Sequence, residues 1–581
     1  MRRYFLEKTV FILIFLISVF FRFYNLNWDE NFHLHPDERF LIMVGNALKL
    51  PNNLNDYFNQ KTSLMNPRNV GYPFFVYGNF PLNLNKVLAV KLNLDNYNDF
   101  TLLGRGLSAF FDSLVIILIF KTCLLLFPNK KIIGFFSSLI YGLSVLPIQL
   151  SHFFAVDSFL NFFMFASFYF SLKFLFLKKN KFIYLVFSSL LFSMALGSKI
   201  TAIFLLPLLI LSFFLMRTDL LWKPVLFLIL TYFFLRLVNP YYFENINFFD
   251  SRLSSQFLKN INELKYLTVK SLDNWYPPMV QWLSKNPLTH SLINNIVIGF
   301  GAASSLFFLV GVIYFLKKYL KDFKNKKNTK VDNLLLVVFF WFLGVFLYQS
   351  FQVNPTLRYF IFLYPFASIF AGYGLYYLFK LIFHQKNKRL KYYFLRFMFH
   401  VLCFIFFLWP LMFISIYTNR HSRVVASEWI YKNLPNQSVI LGEEWDDPLP
   451  LWVSKTYGKN FQTELLPVFW SDSKEKWEKM MSLLDKADYY VMSSNRGWGS
   501  IPQVPGKYPI MSEFYNNILK DECFIDKFSN KKICFKKIKE FTSYPSLRIP
   551  IFNIKIYFDD QWADEGFTVY DHPKVIVFKK I

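Results

Sequence analysis

The chain has 581 residues, of which 54% are hydrophobic, 21% aromatic and only 18% charged. Soluble globular chains run at roughly 45–50% apolar and about 25% charged, and disordered chains are more polar still, so this composition is that of a polytopic membrane protein. The net charge of +26 would suggest nucleic acid in a soluble protein but here suggests basic cytoplasmic loops, and four cysteines without a CxxC spacing exclude a disulfide-stapled scaffold and a zinc ribbon.

In chain order, Met1-Arg2-Arg3 and the apolar run from Thr9 to Phe23 lack a small-residue cleavage site and read as a retained first span. A polar, Asn- and Pro-rich stretch from Tyr24 to about Asp99 follows, too long for an ordinary connection and therefore a candidate functional loop. Further apolar runs occupy 100–127, 132–150, 153–177, 182–198, 200–216, 224–239, 291–316, 333–350, 359–383 and 397–417. Each is near the ~20 residues that a bilayer core demands, so about eleven transmembrane helices are expected.

Short cytoplasmic loops retain Lys and Arg. With the N-terminus inside, the loops at Lys130-Lys131, Lys178-Lys179-Lys181, Arg217 to Lys223, Lys317 to Lys330 and Lys386 to Lys391 all fall on the cytoplasmic side. The segments left outside are the 24–99 loop, the turn at Ser151-His152, the Lys199 region, the loop from Tyr241 to His290, the link Gln352 to Arg358, and everything after Thr418.

Beyond Thr418 the periodicity changes. Ser438 to Leu441, Tyr489 to Met492 and Val575 to Phe578 read as strands and Lys474 to Lys486 as an amphipathic helix. The expected organisation is a helical membrane domain over 1–417 carrying the large first external loop, and an extracytoplasmic α/β domain over 418–581. Cys523 and Cys534 flank a turn around Ser529; a disulfide and two free thiols are both open readings. Cys123 and Cys403 fall within spans and read as packing residues.

The densest functional signal is Asn27-Trp28-Asp29-Glu30-Asn31-Phe32-His33-Leu34-His35-Pro36-Asp37-Glu38-Arg39-Phe40, immediately after the first span. Pro36 suits a first helical turn, which would put Asp37 and Glu38 at a helix N-terminus where the dipole favours carboxylates. His152 and Asp157, near the outer end of a later span, are costly so close to lipid unless they face a polar cavity. Glu443, Glu444, Asp446 and Asp447 lack a calcium-loop pattern and read as a solvated turn.

The Asp37-Glu38 pair, His152-x-x-x-x-Asp157, Gly197-Ser198-Lys199, and Leu357-Arg358-Tyr359 leading into Tyr364-Pro365 resemble the integral-membrane glycosyltransferases of the GT-C class. Within it the chain is most similar to the phospholipid-carrier-dependent branch of protein O-mannosyltransferases and the lipid A aminoarabinose transferase. The resemblance spans about residues 8 to 417, and Glu443 to Asp447 and Val569 to Pro573 resemble further prokaryotic members. It implies an α-helical polytopic fold and an inverting transfer of a hexosyl or pentosyl unit from a polyprenyl-phosphate carrier. The acceptor would be an extracytoplasmic hydroxyl on a protein, glycolipid or wall polymer, and the enzyme would sit in the plasma or inner membrane.

By that resemblance Asp37 is the general base and Glu38 orients Arg39 or the loop. Transfer also needs cations for the departing phosphate, and Lys199, Arg105, Arg358 and Arg39 are the candidates; Arg105, in a span, requires an acid whose identity the spacing does not give, Asp112 being too far along the helix. His35, His152, Asp157, Tyr72 and Tyr77 are candidates for the substrate pocket. One departure is Gly71-Tyr72-Pro73-Phe74, where the aminoarabinose branch carries a Lys before Pro-Pro.

The resemblance requires no cofactor. His33, His35 and Asp37, two residues apart each, are candidate ligands for a divalent metal, the commoner role of such histidines being to hydrogen-bond a carboxylate or a sugar hydroxyl. Competing classes are a transporter or lipid flippase, for which no internal repeat is found, an oligosaccharyltransferase, whose Trp-Trp-Asp signature is absent where Ser427-Glu428-Trp429 stands, and an inactive structural protein.

Overall fold

The computed structural model describes residues 2–177, 181–216, 222–267, 277–383, 390–453, 458–549 and 554–581. Among them, six helical stretches are long and apolar enough to cross a membrane: Tyr97–Leu126, Val156–Phe176, Ala302–Lys324, Lys330–Ser350, Leu357–Phe383 and Tyr393–Asn433. A seventh is the pair Lys131–Gly142 and Val145–Ser151, bent by 56°. Among the described residues the expected count of about eleven is therefore not confirmed. Apolar runs at 182–198 and 200–216 form helices shorter than a full span, because Lys199 takes an extended backbone between them. Trp222–Val238 has 17 residues, or about 25 Å of helix. The expected span 291–316 is interrupted by a π-helical turn, Asn294–Gly299. The basic stretches at 178–180, 217–221 and 384–389 lie outside the described residues.

The helices share one continuous apolar core. Close approach is enforced by glycine where Ala302–Lys324 crosses Tyr364–Phe383: a Cβ on Gly311 would lie 1.9 Å from the Phe370 carbonyl oxygen, and one on Gly374 2.1 Å from that of Phe307. Small residues at a crossing let backbones touch, which is how helices gain van der Waals contact where no hydrophobic force distinguishes them from lipid. The first helix, Arg2–Phe23, is tied in by a buried ion pair, Arg22 Nε donating to Asp112 at 2.6 Å, with Tyr141 and Asn161 on the same carboxylate.

After Thr418 the described residues form nine strands: β1 (Val439–Glu443), β2 (Gln462–Leu466), β3 (Tyr489–Met492), β4 (Phe524–Ile525), β5 (Lys532–Ile533), β6 (Phe535–Phe541), β7 (Ser546–Ile549), β8 (Ile554–Tyr557) and β9 (Val575–Lys580). A mixed sheet runs β2-β1-β3-β9-β6, parallel at β2-β1-β3 and antiparallel at β3-β9-β6. Both faces are covered. Leu441, Tyr490, Met492, Ile576 and Phe578 pack on one side with the helices Lys474–Lys486 and Pro509–Ile518, while Ile440, Tyr489, Val491, Val575 and Val577 pack on the other with Ser422–Asn433. Burial on both faces explains why these strands read as unbroken apolar runs. Cys523 and Cys534 are joined as a disulfide beside the β4-β5 hairpin.

The sheet region sits directly on the helices. Ala563 and Phe567 belong to the helical core, and Asp571 accepts from Gln149 Nε2 at 3.0 Å and from the Tyr417 hydroxyl at 2.8 Å.

Candidate functional site

The motif after the first helix folds around a cap. His35 is the N-cap of the helix Pro36–Ala47, its Nδ1 accepting the Glu38 N–H at 3.2 Å, with Pro36 in the first turn. Such a cap satisfies one of the donors a helix start leaves orphaned, and it requires an unprotonated Nδ1. Burial, the largest influence, lowers the His35 pKa against the pull of Asp37 and Glu38, which keeps the ring in that state. Its ring lies between Phe153 and Tyr570, 4.5 and 4.3 Å away. His35 therefore shapes the helix start and is not hydrogen-bonded to the Asp37 carboxylate.

Glu38 is fully buried and bound to Arg105, which is equally buried. Arg105 Nε and Nη2 donate to the two Glu38 oxygens at 2.8 and 2.6 Å, Nη1 and Nη2 donate to Asp29 at 3.0 and 2.7 Å, and Nη1 also reaches the Leu26 carbonyl at 2.7 Å. These contacts use every N–H of the guanidinium. Glu38 further accepts the Phe154 N–H at 2.8 Å. Arg105 thus faces these carboxylates, and Glu38 binds Arg105 and not Arg39. The acid that the spacing left unidentified is this pair, Asp29 and Glu38.

Asp37, one residue before Glu38, faces a cavity of about 520 Å³ between the helical part and the sheet region. There it forms an ion pair with Arg358; their side chains are 27% and 21% exposed. Burial opposes the Asp37 charge, but the Arg358 guanidinium, with Lys199 beyond it, outweighs burial and holds the carboxyl down at about 2. Tyr77 and Tyr359 also line the cavity. Tyr77 is placed by a backbone junction: Gly78 N–H donates to the Ser198 carbonyl at 3.0 Å, and a Cβ on Gly78 would lie 1.9 Å from the Gly197 oxygen. Lys199 follows that junction. Its Nζ pairs with Asp157 at 2.8 Å and lies 4.2 Å from the Tyr359 ring centroid, on the cavity's flank.

Other candidates stand apart from the cavity. His152 is buried between the Ile148 and Tyr24 carbonyls and stacks on Tyr417 at 3.8 Å. Tyr72 packs edge-on against Phe40. His33 is bonded to Asn98 at 2.9 Å and contacts Thr101, so the three candidate metal ligands do not converge; among the described residues no group of three or more His, Cys, Asp or Glu is arranged to hold a metal.

The opposite wall comes from the sheet region. Arg39 donates to Asp447 at 2.9 Å, Arg423 to Asp447 at 2.7 Å and to Asp446 at 2.5 Å, and Arg496 pairs with Glu565. Glu565 exchanges reciprocal hydrogen bonds with Gln281. The carboxylates of this stretch are thus not simply solvated: Glu443 is 3% exposed and bound by Tyr490 and Tyr515, and the Asp446 side chain is 2% exposed against Arg423. Burial raises the Glu443 pKa to about 7. Asp446, Asp447 and Tyr570 lie in stretches that the sequence singled out without a role at this cavity, whereas Arg423, Arg496 and Glu565 carry no local signal and are brought here by the fold.

The charged residues lining the cavity are Arg39, Arg358, Arg423 and Arg496 against Asp37, Asp446, Asp447 and Glu565. Each of these cations already has a carboxylate partner.

Residues 102–243 match the family model described as dolichyl-phosphate-mannose-protein mannosyltransferase, a segment that contains Arg105, His152, Asp157 and Lys199 but not Asp37. No curated protein matches the chain in sequence. Among solved structures, the Archaeoglobus fulgidus oligosaccharyltransferase tethered with an acceptor peptide matches at a TM-score of 0.55 and 11% identity, over 99% of this chain and 88% of that one. The archaeal oligosaccharyltransferase AglB of the same organism, in complex with an inhibitory peptide and a dolichol-phosphate, matches at 0.52 and 10% identity, over 96% and 75%. ArnT from Cupriavidus metallidurans in the apo state gives 0.46 at 12% identity, over 84% and 93%. The likeness of fold to the archaeal oligosaccharyltransferase thus covers nearly the whole chain.

Proposed function

We propose that the protein is a membrane glycosyltransferase that moves a sugar from a polyprenyl-phosphate carrier to a hydroxyl acceptor, with Asp37 as general base. The observation that carries this reading is the Asp37–Arg358 pair at the wall of a cavity next to apolar helices. A carboxylate and a guanidinium are what the two ends of the reaction need, a proton acceptor for the nucleophile and a cation for the leaving phosphate.

In this mechanism the donor phosphate takes Arg358 away from Asp37, with Lys199 at the flank as a second cation. Asp37 then loses the contact that depresses its pKa most and becomes a better base. The acceptor oxygen forms its bond to the anomeric carbon as the bond from that carbon to the phosphate oxygen breaks. The electron pair leaves on the phosphate, the acceptor proton goes to Asp37, and a single displacement inverts the anomeric carbon. Arg105, Asp29, Glu38 and His35 are positioning residues for the helix that carries Asp37. Arg39 and the wall formed by Arg423, Asp446 and Asp447 face the side left for the acceptor, and the proposed sidedness puts this wall outside the cytoplasm.

A second reading, transfer of a whole oligosaccharide, is favoured by the match to the archaeal oligosaccharyltransferase, which extends through the sheet region. Mass spectrometry of envelope glycoconjugates from cells with the intact gene and with Asp37→Asn tests both. Loss of a single-sugar modification supports the first reading and loss of an oligosaccharide the second; an unchanged profile overturns both.

A further inference from the structure

The strands β7 and β8 form a two-stranded sheet separate from the five-stranded one. A lone hairpin of this size is marginal in water and needs a surface to pack on. Its register pairs Leu547 with Ile556 and Arg548 with Lys555. Cross-strand partners share a face, so Leu547, Ile556 and Ile554 lie on one side and Arg548, Lys555 and Tyr557 on the other. On the apolar side Ile554 and Ile556 are 49% and 46% exposed, so the described residues leave about half of each uncovered. On the other, two cations stand directly opposite each other, an unfavourable pairing, and neither has an acidic partner among the described residues.

The hairpin's position says what covers it. Ser546 N–H donates to Ser415 Oγ at 2.9 Å, and Phe558 packs edge-on against Trp409 at 5.1 Å, both on the helix Leu390–Thr418. Trp409 lies nine residues before that helix ends, about 13 Å along its axis. The neighbouring surface of this helix exposes Phe404, Ile405, Phe407 and Leu411, the face a span turns to lipid. An apolar face on a hairpin seated against a helix that exposes apolar side chains, backed by paired cations and by Tyr557 stacked on Tyr544, has the composition of an interfacial element, with acyl chains on one side and anionic headgroups with an aromatic belt on the other.

We propose that the β7-β8 hairpin is a membrane-embedded foot that anchors the sheet region to the leaflet on its own side, with Arg548 and Lys555 bound to anionic lipid phosphates. The inference does not depend on the chemistry proposed for the cavity.

The test uses the full chain in vesicles of phosphatidylglycerol and phosphatidylethanolamine. Cys123→Ala and Cys403→Ala remove the free thiols, and nitroxide labels are placed at Ile554→Cys and Ile556→Cys, with Glu478→Cys on an exposed helix as control. Labels at 554 and 556 should be severalfold more accessible to oxygen than to a water-soluble nickel chelate, with the order reversed at 478. Nickel access at 554 and 556 equal to the control would show a water-exposed hairpin, and exclusion of both reagents would show a protein covering; either overturns the proposal. Arg548→Gln combined with Lys555→Gln should make the labels shallower in phosphatidylglycerol vesicles but not in phosphatidylcholine alone. An unchanged depth in both would overturn the headgroup contact.

Discussion

Asp37 and Glu38 are neighbours in the chain with opposite surroundings: Glu38 is sealed against Arg105 at 2.6 Å, while Asp37 meets Arg358 at the wall of an open cavity. Successive residues in a helix point about 100° apart, so one turn presents one carboxylate to the protein and the other to a ligand. The first holds the helix in place and the second faces the cavity, where the proposed reaction needs a base.

Asp37→Asn should abolish sugar transfer while leaving an inserted protein that still binds the lipid-linked donor. The amide keeps the shape but cannot take the acceptor's proton, a contribution of about 10²–10⁴-fold. Transfer from a radiolabelled polyprenyl-phosphate sugar in proteoliposomes measures it. A near wild-type rate would leave Asp37 as a helix-start residue and turn attention to Asp157.

Arg358→Ala and Lys199→Ala should both weaken labelling by a photoactivatable polyprenyl-phosphate analogue, Arg358 more strongly because it faces the cavity directly. Arg358→Ala should also raise the pH at which Asp37 gains its proton, since the cation that holds it near 2 is gone. The acid limb of donor hydrolysis or transfer would then move to higher pH. Labelling that persists in both variants would remove them from the donor site.

Arg105→Ala should behave differently, as a folding defect. It leaves the buried carboxylates of Asp29 and Glu38 without a counter-ion, a loss of about 3–5 kcal/mol for a broken buried pair. Thermal unfolding in detergent should show a markedly lower midpoint than for Arg358→Ala. An Arg105→Ala protein of normal stability but no donor labelling would restore Arg105 to the phosphate.

His572 sets a pH dependence at the joint between sheet and helices. Burial works to lower its pKa, but Asp560, at 2.8 Å, and Asp571 outweigh burial and raise it from 6.5 to about 10. Because the folded pKa exceeds the unfolded one, this stabilisation is fully present below about pH 6.5 and is lost as pH rises through about 10. The melting temperature should fall across that window, and His572→Gln should flatten the fall. A wild-type profile as flat as the variant's would mean that His572 is neutral in the fold.

What the sequence determined by itself was whatever depends on neighbours along the chain. Long apolar runs became helices because a bilayer leaves the backbone no other way to satisfy its hydrogen bonds. The strands around Leu441, Tyr490 and Val577 showed as apolar stretches because both their faces are covered, and Pro36 with two acids announced a helix start that the structure builds on His35. The number of full spans was not legible, since hydropathy does not show where an apolar run stops being one helix: the π turn at Asn294–Gly299 breaks the run 291–316.

Only the tertiary structure decided which charges meet. Arg39 and Asp447 are 408 residues apart, Arg358 and Asp37 are 321 apart, and Arg105 reaches Glu38 across 67. Nothing local distinguishes a carboxylate that will be sealed under a guanidinium from one that will face a cavity. A buried charge takes whichever opposite charge the packing brings within about 3 Å, because no water is left to solvate it. The packing that makes that choice is the seating of the sheet region on the helices, a global outcome that no stretch of the chain encodes alone.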